Sequence, residues 1–215
     1  MARGRIEKRG VRSRQIKPVV LIVTEGSQTE PRYFEHFRNR QANIDIRIVG
    51  NKVHGGSTDY TNLVRKAVRY QKKDQISKRN GDSVWVVADG DVNYRDADPI
   101  AIRDTQLEKA REMAQMAGIK VIISNPCFEF WYLLHFDYTT KYFRDYNTVI
   151  TALSRHISNY KNTTDVFDQL LPYMALALDR AECIEQYHID NGSSIPLGIA
   201  TNPFTEVFRL VQALR

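Results

Sequence analysis

Two short acidic motifs carry the chemistry this chain could do. Glu25 stands in TEGSQTEP directly after the apolar run VVLIVT, and Asp89 and Asp91 stand in ADGD at the end of VWVVAD. Carboxylates gathered without basic partners repel one another, which raises at least one pKa unless a cation neutralises them. Hard oxygen ligands of this kind suit Mg²⁺ or Mn²⁺. An ion held by them can activate water and stabilise charge on phosphoryl oxygens. Gly26 and Gly90 follow the first acids of each motif and would let the backbone turn sharply and approach a phosphate closely. A single strand-end acid is usually a helix cap or a solvated loop residue. The combination of a Glu at one strand end with Asp-x-Asp at another gives the metal reading its weight.

Other residues form a second rank. Glu30 is either a further site acid or a first-turn acid favoured by the helix dipole. Glu129, in NPCFE, can face the same crevice or serve as a helix N-terminal acid. His54, in KVHGGSTD, could act as general base or phosphate contact, although a lone loop histidine is more often neither. Asn125 and Asn202 each precede a proline and read better as N-caps than as phosphate contacts. The rings Phe128, Phe130, Trp131, Tyr132 and Phe136 read as core before they read as a base-stacking platform.

Elements must place these acids. VVLIVT (19–24) is a continuous β-branched run, as expected of a strand buried on both faces. Pro31 can open a helix with Tyr33, Phe34 and Phe37 on its apolar face. IDIRIVG (44–50) alternates as a strand, and a helix with Leu63, Val64, Ala67 and Val68 on one side follows Gly55-Gly56. VWVVAD (84–89) is a third strand. Asp98-Pro99 caps and opens a helix that Gly118 stops, and IKVIIS (119–124) is a fourth strand. Strands alternating with helices predict an α/β fold, a mostly parallel four-stranded sheet with helices on both faces. In such sheets ligands bind beyond the carboxyl ends of the strands, where Glu25, Asp89 and Asp91 fall. Beyond Phe128 the pattern turns helical, with two or three helices over 146–190 and NPFTEVFRLVQAL as a terminal amphipathic helix. The expected organisation is a basic flexible arm (1–17), an α/β core (18–136) and a helical elaboration packed on that core (137–215).

Composition narrows the class. The 215 residues are 42% hydrophobic and 26% charged, ordinary for a globular chain able to bury a core. No apolar run approaches the length that crosses a bilayer, and no apolar signal core follows the basic start, so the cytoplasm is the expected location. Cys127 and Cys183 lack CxxC spacing, which argues against a disulfide scaffold or structural zinc. The net charge of +6 is localised. Arg3, Arg5, Lys8, Arg9, Arg12, Arg14 and Lys17 face a single acid, Glu7, and removing these from 31 basic and 25 acidic residues leaves 24 of each. The arm therefore reads as a nonspecific phosphate contact or as a solubilising tail.

The Glu-Gly after the first strand and the later Asp-x-Asp resemble the TOPRIM motif of topoisomerases, primases and OLD-type nucleases. LIVTEGSQTEPRYFEHF, VVADGD, SNPCFEFWYLLHF and NPFTEVFRLV, in this order, resemble the RloB family over almost the whole chain from about residue 19, and SNPCFEFWYLLHF is the most specific of them. The resemblance implies that Glu25, Asp89 and Asp91 correspond to the TOPRIM acids. It also implies a role in bacterial defence beside an RloA-type ATPase. The function expected is a Mg²⁺- or Mn²⁺-dependent nuclease, an endonuclease before an exonuclease, acting on DNA or RNA. The alternative is a noncatalytic nucleic-acid-binding or regulatory subunit of an ATPase-containing complex. A phosphotransfer receiver fits less well, because its acidic pair would follow the first strand, where this chain has one acid. The chain is short for a strand-passing topoisomerase or a primase.

Overall fold

The computed structural model describes residues 17–38, 43–51 and 59–215. His54 and the arm residues Arg3, Arg5, Lys8, Arg9, Arg12 and Arg14 lie outside these, while Lys17 is exposed at the start of the described chain.

The first half alternates as its periodicity requires. β1 (Val19–Thr24), α1 (Thr29–Arg38), β2 (Asp45–Val49), α2 (Tyr60–Lys73), β3 (Ser83–Asp89), α3 (Pro99–Ala117) and β4 (Lys120–Asn125) follow in order. β1 and β3 are buried nearly throughout, which is why they read as unbroken apolar runs rather than as alternating ones. α1 starts at Thr29, two residues earlier than the sequence suggested, so Pro31 falls inside its first turn, where its missing N–H costs no helical bond. α3 starts and stops where its caps predict. The Asp98 side chain accepts from the Ala101 N–H, and Gly118 ends the helix in the left-handed region.

The sheet runs β2-β1-β3-β4-β5, with the first four strands parallel and β5 antiparallel to β4. The chain steps one way from β1 to β2 and the other way through β3 and β4. Right-handed crossovers then put α1 on one face and α2 with α3 on the other. Contacts agree, since α2 packs on α3 while Tyr33 of α1 meets Phe128 and Tyr132 at ring distances of 5.6 and 5.7 Å. The arrangement is a TOPRIM-like α/β fold.

The second half adds α4 (Glu129–Leu134), α5 (Tyr146–Leu153), α6 (Phe167–Leu170), α7 (Met174–Asp190), β5 (Phe204–Thr205) and α8 (Val207–Ala213). Trp131, Phe128 and Phe130 are fully buried and Tyr132 nearly so, while Phe136 packs partly buried against them; the aromatic run is core. NPFTEVFRLVQAL departs from the expected single helix. Asn202 does not cap it; its side chain both donates to and accepts from the Phe143 backbone at 2.8 and 2.9 Å. Phe204 and Thr205 then pair with Asn125 and Ser124 as a fifth strand. Glu206 fixes that edge, its Oε2 accepting from the Ile123 N–H at 3.0 Å and pairing with Arg111 at 3.3 Å. The backbone needs of the β4 edge override local helix propensity here, and the helix begins only at Val207. Among the described residues no helix is long and apolar enough to cross a membrane.

The opposite end of the sheet is held by Asp82, whose carboxylate accepts from Val19 N–H at 2.8 Å and Ser77 N–H at 2.9 Å. Asp82→Ala strands both donors and should cost about 1–3 kcal/mol in urea unfolding. Any activity of the strand-end acids should survive in the folded fraction. An unchanged midpoint would show that Asp82 does not anchor β1.

Candidate functional site

Pairing of β1 with β3 brings the two acidic motifs together. The register sets Thr24 opposite Val87, so β3 runs two residues further, to Asp89. The Glu25 N–H donates to Val87 O at 2.9 Å, which prolongs the ladder by one rung. The Glu25 carboxylate then accepts from the Asp89 N–H at 3.1 Å. The chain turns into α1, and Glu30 Oε1 accepts from the Gly26 N–H at 2.9 Å.

The two glycines matter for space rather than for a left-handed turn, since neither is among the glycines with positive φ. A Cβ on Gly26 would land on the Glu30 carboxylate. A Cβ on Gly90 would lie 2.7 Å from the Asn125 side chain. Asn125 itself is neither an N-cap nor a pocket residue. Its Nδ2 donates to the carbonyls of Ile199 at 2.9 Å and Thr201 at 2.6 Å, tying the segment before β5 to the end of β4.

Five acids, Glu25, Glu30, Asp89, Asp91 and Glu129, line one pocket of about 310 Å³ at the carboxyl ends of β1 and β3, and among the described residues no basic side chain lines it with them. Their titration reflects this. Desolvation, then the neighbouring Glu30, Glu25 and Glu129 carboxylates, hold Asp89 well above the usual carboxylate range. Burial raises Glu30 to about 7 despite the Gly26 N–H, with Glu129 and Glu25 adding to the rise. Burial also raises Glu129, opposed by hydrogen bonds that favour its charged form. Asp91 is raised by desolvation too, although Arg103 pulls it back.

Residues far away in sequence hold these acids. Glu129 Oε1 accepts from the hydroxyls of Tyr160 at 2.9 Å and Thr29 at 3.2 Å. Arg103, only 5% exposed, donates Nε to Asp91 O at 2.9 Å and reaches the Asp91 carboxylate at 3.3 Å. Its guanidinium lies 3.8 Å from the centroid of Tyr60, whose hydroxyl donates to Asp89 O at 2.7 Å. None of Thr29, Tyr60, Arg103 and Tyr160 was singled out from the sequence. One signal was available, because Arg103 occupies the same helical stripe as the buried Leu107, Ala110 and Ala114. A charge on a buried stripe needs a partner. Thr29 and Tyr160 gave none, since their partner is 100 and 31 residues away.

The donors are hard oxygens whose shared charge calls for a cation, so in kind they fit Mg²⁺ or Mn²⁺. Among the described residues, no three acidic, histidine or cysteine side chains stand together as a finished ion cage. Mg²⁺ commonly completes its shell with water and substrate phosphates rather than with protein alone, which suits two or three carboxylates sharing an open pocket.

No curated protein matches the chain. The sequence profile of the family described as RloB-like protein matches residues 20–214, from the first residues of β1 past the end of α8, and every element that builds the pocket falls within that span. The chain belongs to the RloB-like family.

Proposed function

We propose that this protein is a Mg²⁺- or Mn²⁺-dependent nuclease that hydrolyses phosphodiester bonds of DNA or RNA, working in bacterial defence beside an RloA-type ATPase. The observation that carries the chemistry is the five-carboxylate pocket at the switch point of the sheet, lined without a basic side chain among the described residues. The family carries the defence setting and the ATPase partner. When bound, the ion supplies an activated water and neutralises charge on the phosphoryl oxygens. Glu25 and Asp89 are the residues that hold it, fixed side by side by the Asp89 N–H bond to Glu25, with Asp91 at the rim. In the metal-free pocket Glu30, raised to about 7 chiefly by burial, holds a proton at its carboxyl group near physiological pH, and a bound cation would favour its release. Arg103 keeps the Asp91 loop in place.

Nucleic acid as substrate draws support from α2. Arg65, Lys66, Arg69, Lys72 and Lys73 lie on this helix with no acid among its residues. Its Lys66 ammonium donates to Gly50 O at 2.9 Å and reaches Asn51 Oδ1 at 3.4 Å, beside the acid pocket. Basic charge next to, but outside, the acidic pocket can hold a backbone while the acids address one phosphate.

A second reading is a noncatalytic nucleic-acid-binding or regulatory subunit of the ATPase complex. The basic residues of α2, a helix without an acid, favour binding whether or not the acids cleave. Metal-dependent cleavage of labelled single- and double-stranded DNA and RNA, with and without the ATPase, separates the two.

Three outcomes follow. Asp89→Asn should lower cleavage by orders of magnitude in Mn²⁺ and raise the melting temperature of metal-free protein, since it removes one charge from a self-repelling cluster. Activity surviving in a folded Asp89→Asn protein would move the chemistry elsewhere. Metal-free stability should also fall as pH rises. Glu30 holds its proton up to about 7 when folded against 4.5 ordinarily. Between these values the folded chain binds the proton that the unfolded chain has released, so the stability present below the lower value is lost through the higher one. Thermal scans at several pH values should show this decline, and Mg²⁺ or Glu30→Gln should flatten it. Finally, deleting residues 1–16 should leave the melting temperature nearly unchanged and reduce the salt slope of nucleic-acid binding; an unchanged slope would make the arm a tail.

A further inference from the structure

The chain has eleven tyrosines, and the described residues leave six of them exposed: Tyr94, Tyr138, Tyr142, Tyr146, Tyr173 and Tyr187. Four of the six lie on just two segments, the loop that follows Asp91 and the stretch from Tyr138 to Tyr146 that leads into α5. Those segments meet each other through Tyr94, and each borders the acid pocket through one residue, Asp91 on the first and Tyr146 on the second. Tyr146 lines it together with Asp89, Asp91 and Glu129. Two residues before it along the chain, Arg144 O accepts from the Tyr94 hydroxyl at 2.7 Å, and its guanidinium lies 4.7 Å from the centroid of the Tyr94 ring. The hydroxyls of Tyr94 and Tyr142 are 3.0 Å apart. Tyr94 is itself three residues beyond Asp91.

These rings differ from the buried aromatics of the protein. Phe128, Phe130, Trp131 and Tyr160 spend their faces on the core. A tyrosine kept for its hydroxyl alone can bury its ring, as Tyr160 does while donating to Glu129. Tyr94, Tyr142 and Tyr146 remain 40, 55 and 39% exposed although their segments are tied down. Tyr146 stays protonated, its hydroxyl pushed up to about 12 by burial and then by the Glu129 carboxylate, so it presents a neutral ring beside the acids and not a ready nucleophile.

We infer that Tyr94, Tyr142 and Tyr146, with Arg144 and the neighbouring exposed Lys141, form a stacking platform that seats unpaired bases of a single-stranded nucleic acid at the mouth of the acid pocket. Every base has a π-face, so such a platform is tolerant of sequence. Bases inside a duplex already stack on each other and offer these rings nothing, whereas splayed bases stack readily on tyrosine or on a guanidinium plane. Arg144 over Tyr94 supplies charge for the backbone and a cation–π contact at one point. The choice of ligand rests on the nuclease reading, and it deepens that reading by naming the strand state of the substrate.

The test uses the full chain with a fluorescent, non-pairing single-stranded oligonucleotide and a hairpin duplex of equal length. Anisotropy is read in Mg²⁺ and cleavage is followed on the same samples in Mn²⁺. Wild type should bind the single strand several-fold tighter than the hairpin. Tyr94→Ala and Tyr142→Ala should each weaken single-strand binding by roughly 5-fold or more while leaving hairpin affinity unchanged. Tyr142→Phe should rescue binding, because the ring stacks and the hydroxyl does not. Tyr187→Ala, on α7, should change nothing. Melting temperatures check folding; Tyr142 is the most exposed of the three, so its alanine variant keeps the test valid if Tyr94→Ala is destabilised. Equal affinity for hairpin and single strand, or alanine variants that bind as wild type, would overturn the platform. Tyrosine-dependent binding without cleavage in either metal, with the ATPase added as without it, would support the platform and overturn the nuclease reading. Cleavage and binding that survive unchanged in both alanine variants would do the reverse.

Discussion

The parallel pairing of β1 with β3 is the constraint on which the remainder depends. Residues paired between these strands are 63 apart in sequence, and they meet because β2 lies outside β1, leaving β1 free to take β3 on its other edge. Once the register is fixed by buried apolar side chains on both faces, a slip of one residue would turn every core side chain to the wrong face. The same register sets how far β3 projects beyond β1, and so places the Asp89 N–H within reach of the Glu25 carboxylate. The core thus specifies the position of the acids without any attraction between them.

Such a cluster costs stability, and its surroundings show how the cost is limited. Four of the five acids have a neutral donor or a single distant cation: the Gly26 N–H for Glu30, the Asp89 N–H for Glu25, hydroxyls of Thr29 and Tyr160 for Glu129, and Arg103 for Asp91. Arg103 is the only guanidinium bonded to a pocket acid among the described residues, and it engages the outermost of them. Donors that carry no full charge support carboxylates in place while leaving their negative potential largely intact for a ligand. Arg103 therefore acts on the pocket from the side of α3, at Asp91.

What could be read from the sequence divides along the range of the interactions. β1, β3 and α3 were legible because their causes are local. Apolar β-branched runs mark buried parallel strands, and Asp98-Pro99 with Gly118 marks both ends of a helix. The gathering of Glu25, Asp89 and Asp91 followed from the general geometry of parallel sheets, and Glu30 and Glu129 lie in the same pocket. β5 was not legible, since two residues of strand are imposed by the open edge of β4 and by the Asn202 clasp on Phe143 rather than by any alternating pattern. Asn125 and Asn202 were misjudged for the same reason: Asn-Pro reads locally as a cap, but the partners of these side chains are 59 to 76 residues away. The exposed tyrosines could not be told from buried ones by type alone, because exposure is a property of the finished packing.

The route of the chain through the pocket bears on its manufacture. Glu25 emerges early in synthesis, whereas Glu129 and its Tyr160 hydroxyl partner come much later, and the antiparallel edge that seals β4 is made from Phe204 and Thr205. Because these contacts span so much of the sequence, a partly made chain holds the first acids but neither their full complement nor the sheet that fixes them. For a nuclease of the kind proposed, that order of assembly would delay activity until the chain is finished. The ribosome would release it inert until the final segments have docked, and a prematurely terminated product would carry the motif without the means to use it.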